Sequence, residues 1–315
     1  MSIVVLAGGL SHERDVSIRS GRRVWESLTD AGADAVVRDV DANLLGQWFI
    51  EPPTVVIPML HGAAGEDGSL RDVLESLGLP YVGSTAAACR MAFDKPIAKS
   101  IVAAAGINTP KAVALPHSTF RELGADAVIA AVVEAVQLPI IVKPTKGGSS
   151  LGANVVREQR ELASALVAAF AYGDVVLIEH FVEGVEVAVS VLEVEGVPQA
   201  LPAVEIRPDG GFYDYTARYT AGTTEFFTPA RLSDELAQAV AEVAVSAHKA
   251  LGLRDLSRSD LIVDAAGTVW FLEVNVAPGM TETSLFPQAI AAAGLELGSV
   301  LAELATVAAR RKVTA

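Results

Sequence analysis

Strand-like and helix-like segments alternate over about the first ninety residues of this 315-residue chain. Two apolar runs, at residues 3–7 and 54–60, have the length and the β-branched content of buried strands. The first run is followed by a helical pattern that continues to about residue 31. Strands that alternate with helices form parallel sheets covered on both faces. The sequence therefore predicts an α/β domain with a parallel sheet over residues 1–93.

Polar residues follow both predicted strands where such sheets bind ligands. Ligands of parallel sheets lie beyond the carboxyl ends of the strands, and Glu13, His61 and Glu66 come shortly after these ends. Two of them also have ordinary structural explanations. A carboxylate such as Glu13 stabilises the start of a helix, and a loop histidine such as His61 commonly bonds to the backbone. Position alone leaves both interpretations open.

The rest of the chain is typical of an α+β arrangement. Apolar runs at residues 140–144 and 175–181 predict two strands of a central unit, which we assign to residues 94–182. Alternating valines from Val185 to Val191 begin a third unit, assigned to residues 183–315. We therefore expect an N-terminal parallel-sheet domain followed by two α+β subdomains.

The charge balance excludes some classes of partner. The chain has 24 Lys and Arg against 38 Asp and Glu, a net charge of −14, and such a surface repels nucleic-acid phosphates and anionic lipids. No stretch approaches the ~18 uninterrupted apolar residues of a membrane span, and no basic leader precedes the first apolar run. A single cysteine, Cys89, is typical of the reducing cytosol. We expect a cytoplasmic protein without nucleic-acid or membrane partners.

Residues 258–275 predict a β-hairpin with its turn at 264–267. If residue 263 lies opposite 268, 260 opposite 271 and 258 opposite 273, the two-residue period of a strand assigns each side chain to a face. One face carries Arg258, Asp260, Glu273 and Asn275. The other, expected to be core, carries Leu261, Val263, Trp270, Leu272 and Val274. Oxygen ligands from Asp, Glu and Asn suit Mg²⁺, although a solvent-facing ladder of salt bridges gives the same pattern.

A glycine-rich loop follows a predicted strand that ends at Lys143-Pro144. Its sequence, Lys-Gly-Gly-Ser-Ser-Leu-Gly over residues 146–152, offers backbone N–H groups that can close over phosphate oxygens, and Lys143 adds a positive charge. A surface linker is the alternative for such a loop. The chain contains neither Gly-x-x-x-x-Gly-Lys-Ser/Thr nor Gly-x-Gly-x-x-Gly. Another kind of nucleotide site is therefore expected.

Taken in order, these motifs resemble the D-alanine–D-alanine ligase family of the ATP-grasp superfamily, over nearly the whole chain. The blocks that carry the similarity are Gly8 to Ser17, His61 to Gly68, Asp94-Lys95, Lys143 to Gly152, Glu179 to Glu186, Tyr213 to Tyr219 and Glu273 to Thr281. The resemblance implies an ATP-grasp fold in the two later units. It also implies ATP-dependent ligation of two D-alanine molecules through an acylphosphate, for peptidoglycan synthesis and cell wall biogenesis.

The same resemblance implies the ligands of particular residues. ATP would be bound by Lys95, Lys143, Glu179, His180, Phe181, Val182 and Glu186. Two Mg²⁺ ions, for which Mn²⁺ can substitute, would be bound by Asp260, Glu273 and Asn275, which the hairpin pattern already groups on one face. The partners would be D-alanine and ATP, and the enzyme would be a homodimer.

Catalytic roles are likewise implied by the resemblance. They fall on Glu13, Ser149, Tyr219, Arg258 and Gly279. Glu13 would hold the ammonium group of the first D-alanine. Hydrogen bonds among Glu13, Ser149 and Tyr219 would close the loop at 209–228 as a lid. Arg258 and the Gly279 N–H would stabilise an oxyanion. The implied substrate-binding residues are His61, Ser284 and Arg218.

Two of the assigned site residues depart from the family pattern. Arg218 stands where lysine is common before the lid tyrosine, and His180 stands where lysine is common in the adenine strand. Guanidinium and ammonium groups are not interchangeable, so the contact made by Arg218 is left open. The alternative functions are a related ligase with a D-serine or D-lactate acceptor and an ATP-binding regulator without catalysis. Tyr219 argues against D-lactate, because the resembling D-lactate enzymes have a histidine there.

Overall fold

The computed structural model describes residues 1–214, 217–218, 220 and 222–311. The N-terminal elements are β1 (Ile3–Ala7), α1 (Arg14–Asp30), β2 (Ala35–Asp39), α2 (Leu44–Ile50), β3 (Val55–Pro58), α3 (Ala63–Glu66) and α4 (Ser69–Ser76). The three strands form a parallel sheet in the order β2-β1-β3. Ile3 and Val5 pack with α1, whereas Val4 and Leu6 pack with α2 and α4. Because both faces of β1 are covered, it is buried throughout, and the predicted parallel sheet is confirmed.

Five helices and a second sheet follow. They comprise α5 (Ala86–Phe93), α6 (Lys95–Ala104), β4 (Ala112–Pro116), α7 (His117–Leu123), α8 (Ala125–Val136), β5 (Ile140–Pro144), β6 (Asn154–Val156), α9 (Leu162–Phe170) and β7 (Val175–His180). The sheet is antiparallel, in the order β4-β7-β5-β6. Asp94 separates α5 from α6, and its carboxylate accepts a hydrogen bond from the Ile97 N–H. This N-cap starts α6 at Lys95.

A third sheet completes the described strands. The last elements are β8 (Val185–Val194), β9 (Val197–Ala200), β10 (Val204–Pro208), β11 (Thr224–Phe227), α10 (Asp234–Ala250), β12 (Leu256–Val263), β13 (Val269–Asn275), α11 (Leu285–Ala292) and α12 (Leu297–Ala309). The sheet is antiparallel in the order β11-β10-β8-β12-β13, and β9 pairs with β8. A parallel sheet followed by two antiparallel sheets agrees with the predicted α/β and α+β architecture.

Two pairs of helices pack across the boundaries of the predicted units. Phe286 of α11 and Leu301 of α12 are buried in one core with Val5 and Ile57 of the N-terminal sheet. In the same way, α5 and α6 pack on the third sheet, where Val102 shares a core with residues of β8 and β13. The sequence boundaries at 93/94 and 182/183 stay predictions. These crossing helices fix the N-terminal loops against the third sheet, which is what assembles the site.

No single helix among the described residues is long and apolar enough to cross a membrane. By length and composition alone, α11 and α12 would pass the test as a pair, but they are bent by 101° relative to each other. Both helices contribute buried side chains to the core shared with the N-terminal sheet.

Candidate active site

The β12–β13 hairpin differs in register from the prediction. Val263 pairs with Val269, Asp260 with Glu273 and Arg258 with Asn275, so the predicted partners 268, 271 and 273 are wrong. The first cause is the loop, which has five residues because the Asp264 carboxylate accepts hydrogen bonds from the N–H groups of Ala266 and Thr268. The second cause is a β-bulge between Asp260 and Leu261 and their partners.

The longer loop and the bulge together decide which side chains face the site. Leu261, Val263 and Val274 enter the core as expected, but Val269 and Phe271 join them there. Trp270 and Leu272 were expected in the core and instead lie on the other face, where Leu272 lines a cavity next to Glu273. The longer loop shifts the register by one residue and the bulge by another. The total shift of two restores the predicted face of Glu273 and Asn275.

Arg258, Asp260 and Glu273 form the charged floor of the site. Asp260 and Glu273 are direct cross-strand partners. The Arg258 guanidinium donates two hydrogen bonds to Asp260, from Nε to Oδ1 at 2.7 Å and from Nη2 to Oδ2 at 2.9 Å. The Asn275 amide oxygen accepts a hydrogen bond from the Ala277 N–H at 2.7 Å.

Three lysines face the carboxylates of Glu179 and Glu273. Lys143 Nζ on β5 lies 2.5 Å from Glu179 Oε1 on β7, and Lys99 Nζ on α6 lies 2.8 Å from Glu179 Oε2. Lys95, at the first position of α6, lies 3.3 Å from Glu273 Oε2 and donates to the Gly147 carbonyl at 2.7 Å. Lys95, Lys99 and Glu179 are all buried. The site is therefore a largely buried network of ion pairs.

The charges and the burial at this site set the pKa values of its carboxyl groups. Burial favours the neutral form of Glu273, but the charges of Lys95, Lys143, Arg218 and Arg258 outweigh it and lower its pKa to about 2. Burial raises the pKa of Glu186 to about 7, with contributions from Asp260 and Glu273. Glu273 therefore stays ionised at neutral pH, whereas Glu186 titrates near neutral pH.

A cavity of about 330 Å³ lies between the second and third sheets. Its apolar part includes Ile141, Phe181, Ile262 and Leu272. The remaining predicted ATP and metal residues that line it are Lys95, Lys143, Glu179, His180, Val182, Glu186, Asp260 and Glu273. An apolar lining beside a cationic end suits a base joined to phosphates.

The glycine-rich loop closes over one end of this cavity. Ser149 and Ser150 both have positive φ angles, 56° and 55°, which are uncommon for residues other than glycine. Ser149 Oγ donates to the Glu13 carboxylate. Ser150 Oγ donates to the Tyr213 carbonyl at 3.0 Å and accepts from Arg218 Nε at 3.1 Å. The two strained serines thus contact the N-terminal loop and the 209–228 loop, respectively.

A second cavity of about 200 Å³ adjoins the first. It is lined by the predicted substrate and catalytic residues Glu13, His61, Ser149, Arg258, Gly279 and Ser284, and by Asn275. Lys95, Arg218 and Glu273 line both cavities. All described site residues therefore meet at one place, although Glu13 and Ser284 are far apart in sequence. Tyr219, also expected here, lies outside the described residues.

His61 and Ser284 use their polar atoms on neighbouring protein groups. His61 Nδ1 lies 3.0 Å from the Ala277 carbonyl oxygen, and Nε2 lies 3.0 Å from Ser20 Oγ. Ser284 Oγ accepts from the Thr281 N–H at 2.9 Å and lies 2.8 Å from Thr281 Oγ1. His61 therefore lines the cavity while both ring nitrogens are bonded to protein.

Polar residues at the site to which the sequence assigned no role include Ser20, Lys99 and Ser150. Glu66 was placed near the site only by its position after a predicted strand. Lys99 follows Lys95 by one helical turn, a spacing that places both on the same side of α6 and is a usable sequence signal. Ser150 neighbours the assigned Ser149 in the glycine-rich loop. Burial raises the pKa of Glu66 to about 8, with Glu13 adding to the effect, and only the tertiary packing reveals this.

Known proteins are similar to this chain in sequence and in fold. The family model described as D-ala D-ala ligase C-terminus matches residues 101–306. The D-alanine–D-alanine ligase of Anaeromyxobacter dehalogenans (strain 2CP-C) is 41% identical over 293 residues, which cover 93% of this chain and 92% of that protein.

Solved structures agree with the sequence comparison. The D-alanine–D-alanine ligase of Bacillus anthracis is 32% identical, with a TM-score of 0.83 and 98% of each chain covered. The VanG D-Ala:D-Ser ligase of Enterococcus faecalis is 29% identical, also with a TM-score of 0.83, and the similarity covers 97% of this chain and 98% of that one. The fold is therefore that of an ATP-grasp enzyme. The chain belongs to the D-alanine–D-alanine ligase family.

Proposed function

We propose that this protein is an ATP-dependent ligase that joins two D-alanine molecules to D-alanyl-D-alanine, releasing ADP and phosphate. One observation carries the proposal. A cavity suited to a nucleotide adjoins a small polar cavity, and Lys95, Arg218 and Glu273 line both. A phosphoryl group transferred from one cavity to a carboxylate in the other would pass between these charges. The second cavity is smaller than the ~300–1,000 Å³ of ordinary ligand sites, which favours amino acids as small as alanine.

In the nucleotide cavity, the base lies against Phe181 and Val182 at the end of β7, next to His180. Glu186 accepts hydrogen bonds from the ribose hydroxyls. Lys95, Lys143 and the N–H groups of the glycine-rich loop hold the phosphates. In this assignment Glu179 acts through its carboxylate, which fixes Lys143 at 2.5 Å, while its backbone borders the base.

The donor set at the floor fits a hard divalent cation. Asp260, Glu273 and Asn275 offer only oxygen ligands, and the lowered pKa of Glu273 keeps it anionic. The described residues contain no group of three His, Cys, Asp or Glu side chains that could hold a metal, so phosphate oxygens and water must complete the coordination. We assign two Mg²⁺ ions, replaceable by Mn²⁺, to these residues. Bound Mg²⁺ would neutralise charge on the transferred phosphoryl group.

The chemistry takes two steps. A carboxylate oxygen of the first D-alanine attacks the γ-phosphorus of ATP, the bond to the β-phosphate oxygen breaks, and an acylphosphate and ADP result. The neutral amine of the second D-alanine then attacks the acyl carbon, and the tetrahedral intermediate expels phosphate, which takes up the proton that the amine loses. Glu13 holds the ammonium group of the first D-alanine. Arg258 and the Gly279 N–H donate to the developing oxyanion.

The second D-alanine is held by its carboxylate, through Ser284 and Arg218. Ser149 orients Glu13 by donating to it, and Tyr219 is proposed to complete that set. The contacts of Ser150 with Tyr213 and Arg218 hold these two residues of the 209–228 loop at the junction of the cavities. Closure of this kind excludes water, which would otherwise hydrolyse the acylphosphate.

D-serine is the second candidate acceptor. The observation that favours it is the similarity to the VanG D-Ala:D-Ser ligase, whose TM-score equals that of the D-alanine–D-alanine ligase of Bacillus anthracis. We further propose a cytoplasmic enzyme that supplies peptidoglycan synthesis and acts as a homodimer. The single buried Cys89 supports a reducing compartment.

The experiment is product identification with the purified protein. ADP release is measured with ATP, Mg²⁺ and D-alanine, alone and mixed with D-serine or D-lactate, and products are identified by mass spectrometry. We expect ADP release that requires both D-alanine and Mg²⁺, with D-alanyl-D-alanine as the main product. A mixed D-alanyl-D-serine product in excess would favour the second candidate. No ligation product with any acceptor would reject the proposal.

A further inference from the structure

The chain segment between β13 and α11 is fastened to the N-terminal domain at two points. His61 Nδ1 lies 3.0 Å from the Ala277 carbonyl oxygen. The Met280 N–H donates to Ser20 Oγ at 3.1 Å. Ser20 Oγ lies 3.0 Å from His61 Nε2, so the two fastenings form one continuous network. Gly279 lies between the two fastened residues and lines the second cavity.

The direction of every hydrogen bond in this network is determined. A carbonyl oxygen only accepts, so His61 Nδ1 must carry the hydrogen and donate to Ala277. In a neutral ring Nε2 then has a lone pair, which accepts from the Ser20 hydroxyl. The Ser20 oxygen in turn accepts from the Met280 N–H. Ser20, His61 and Met280 are buried, and burial lowers the pKa of His61, which favours the neutral ring that this pattern requires.

The backbone around Gly279 has little room to adjust. A Cβ atom placed on Gly279 would lie 2.8 Å from Ser284 Oγ. The peptide N–H of Gly279 lies between the anchored Ala277 carbonyl and the anchored Met280 N–H, so these two anchors restrict its direction. An oxyanion donor of this kind must point at the position where charge develops, and its direction here is set by its neighbours.

We propose that Ser20 and His61 are positioning residues for the ligation reaction, holding the Gly279 N–H toward the oxyanion. This rests on the proposed function. His61 then acts on the 276–281 segment through Ala277, since both of its ring nitrogens bond to protein. Ser20 lies on α1, the helix that begins just after Glu13. Glu13, which precedes the first residue of α1, binds the first D-alanine, and Ser20 on the same helix fixes the oxyanion donor.

The test compares Ser20→Ala with Ser17→Ala, a matched control. Ser17 is equally buried on the same helix, and its hydroxyl donates to the Met59 carbonyl at 2.6 Å and accepts from the Gly8 N–H at 2.8 Å. Both variants lose one buried bridging hydroxyl, but only Ser20 contacts the 276–281 segment. Melting temperatures measure the loss of stability that both variants share. The kcat measures the effect on catalysis, and the KM for ATP measures any effect on nucleotide binding.

We expect Ser20→Ala to lower kcat by about 10- to 100-fold, because small displacements of a donor have effects of that size. The KM for ATP should change less than about twofold, and Ser17→Ala should retain kcat. A dipeptide phosphinate, whose tetrahedral phosphorus mimics the intermediate, should lose affinity for Ser20→Ala by the same factor as kcat. Equal kcat and equal phosphinate affinity in the two variants would overturn the proposal. If wild type itself forms no dipeptide, the proposed function fails first.

A second pair of variants keeps the test decisive if Ser20→Ala does not fold. His61→Asn retains an N–H near the position of Nδ1 and can still donate to Ala277, whereas His61→Ala cannot. We expect kcat of His61→Ala to be at least about tenfold below that of His61→Asn. Equal kcat values would mean that the bond to Ala277 has no catalytic effect, and would refute the positioning role.

Discussion

Removing the charge of Glu179 should damage this protein far more than removing the charge of Lys99. The Glu179 carboxylate is buried between two ammonium groups, Lys143 at 2.5 Å and Lys99 at 2.8 Å. At an effective dielectric constant of ~20, each contact represents a gross attraction of about 6 kcal/mol. The loss of solvation of three buried charges opposes this, so the net effect depends on which partner is removed.

Glu179→Gln leaves two buried ammonium groups without their counter-charge. Loss of one partner from a buried ion pair is destabilising by about 3–5 kcal/mol. Lys99→Met leaves Glu179 paired with Lys143 and also removes the buried charge of Lys99. We therefore expect it to lower the free energy of unfolding by only about 1–2 kcal/mol. Glu183→Gln, at an exposed pair with Arg157, is the stability control and should change the free energy of unfolding by less than about 1 kcal/mol.

Urea unfolding gives the free energy of each variant, and steady-state kinetics give the KM for ATP. Because Glu179 fixes Lys143, we expect Glu179→Gln to raise the KM for ATP by about tenfold, equivalent to about 1.4 kcal/mol, and Lys99→Met to raise it less. The reasoning fails if Lys99→Met destabilises as much as Glu179→Gln. It fails equally if Glu179→Gln matches the exposed control in stability.

Three further predictions concern single groups of the site. Glu273→Gln should fold normally but lose most turnover, about 100-fold or more, since it removes an anionic ligand of the metal site; wild-type turnover would dismiss that assignment. Glu66→Gln should gain stability relative to wild type as pH rises from about 4.5 to about 8, because folded Glu66 keeps its proton to a pKa of about 8 while the unfolded side chain loses it near 4.5; parallel pH–stability curves from urea titrations would contradict this. Ser150→Ala should raise the KM for the second D-alanine by about tenfold, since Arg218 loses its 3.1 Å contact; an unchanged KM in D-alanine titrations would count against that role for Arg218.

Local patterns predicted much of this molecule, and the β12–β13 hairpin shows both their reach and their limit. Strand periodicity grouped Arg258, Asp260, Glu273 and Asn275 correctly on one face. The same periodicity put Leu272 on the wrong face, because one extra loop residue shifts the alternation, and the bulge shifts it back only from Glu273 onward. A bulge depends on how two strands pair with each other. The periodicity of either strand alone therefore does not predict it.

The sequence by itself determined the parallel sheet, the charged face of the β12–β13 hairpin and, through the ordered motifs, the family. Those features depend on neighbours within a few residues, where backbone periodicity and residue type decide the outcome. Only the tertiary structure decided that Lys99 is buried against Glu179 and that Ser20 reaches Met280, 260 residues away. Lysine on a helix is normally solvated and serine is neutral in its preference. Their roles arise only when α6 packs on the third sheet and α1 packs beside the 276–281 segment, which removes water and leaves these side chains only protein partners.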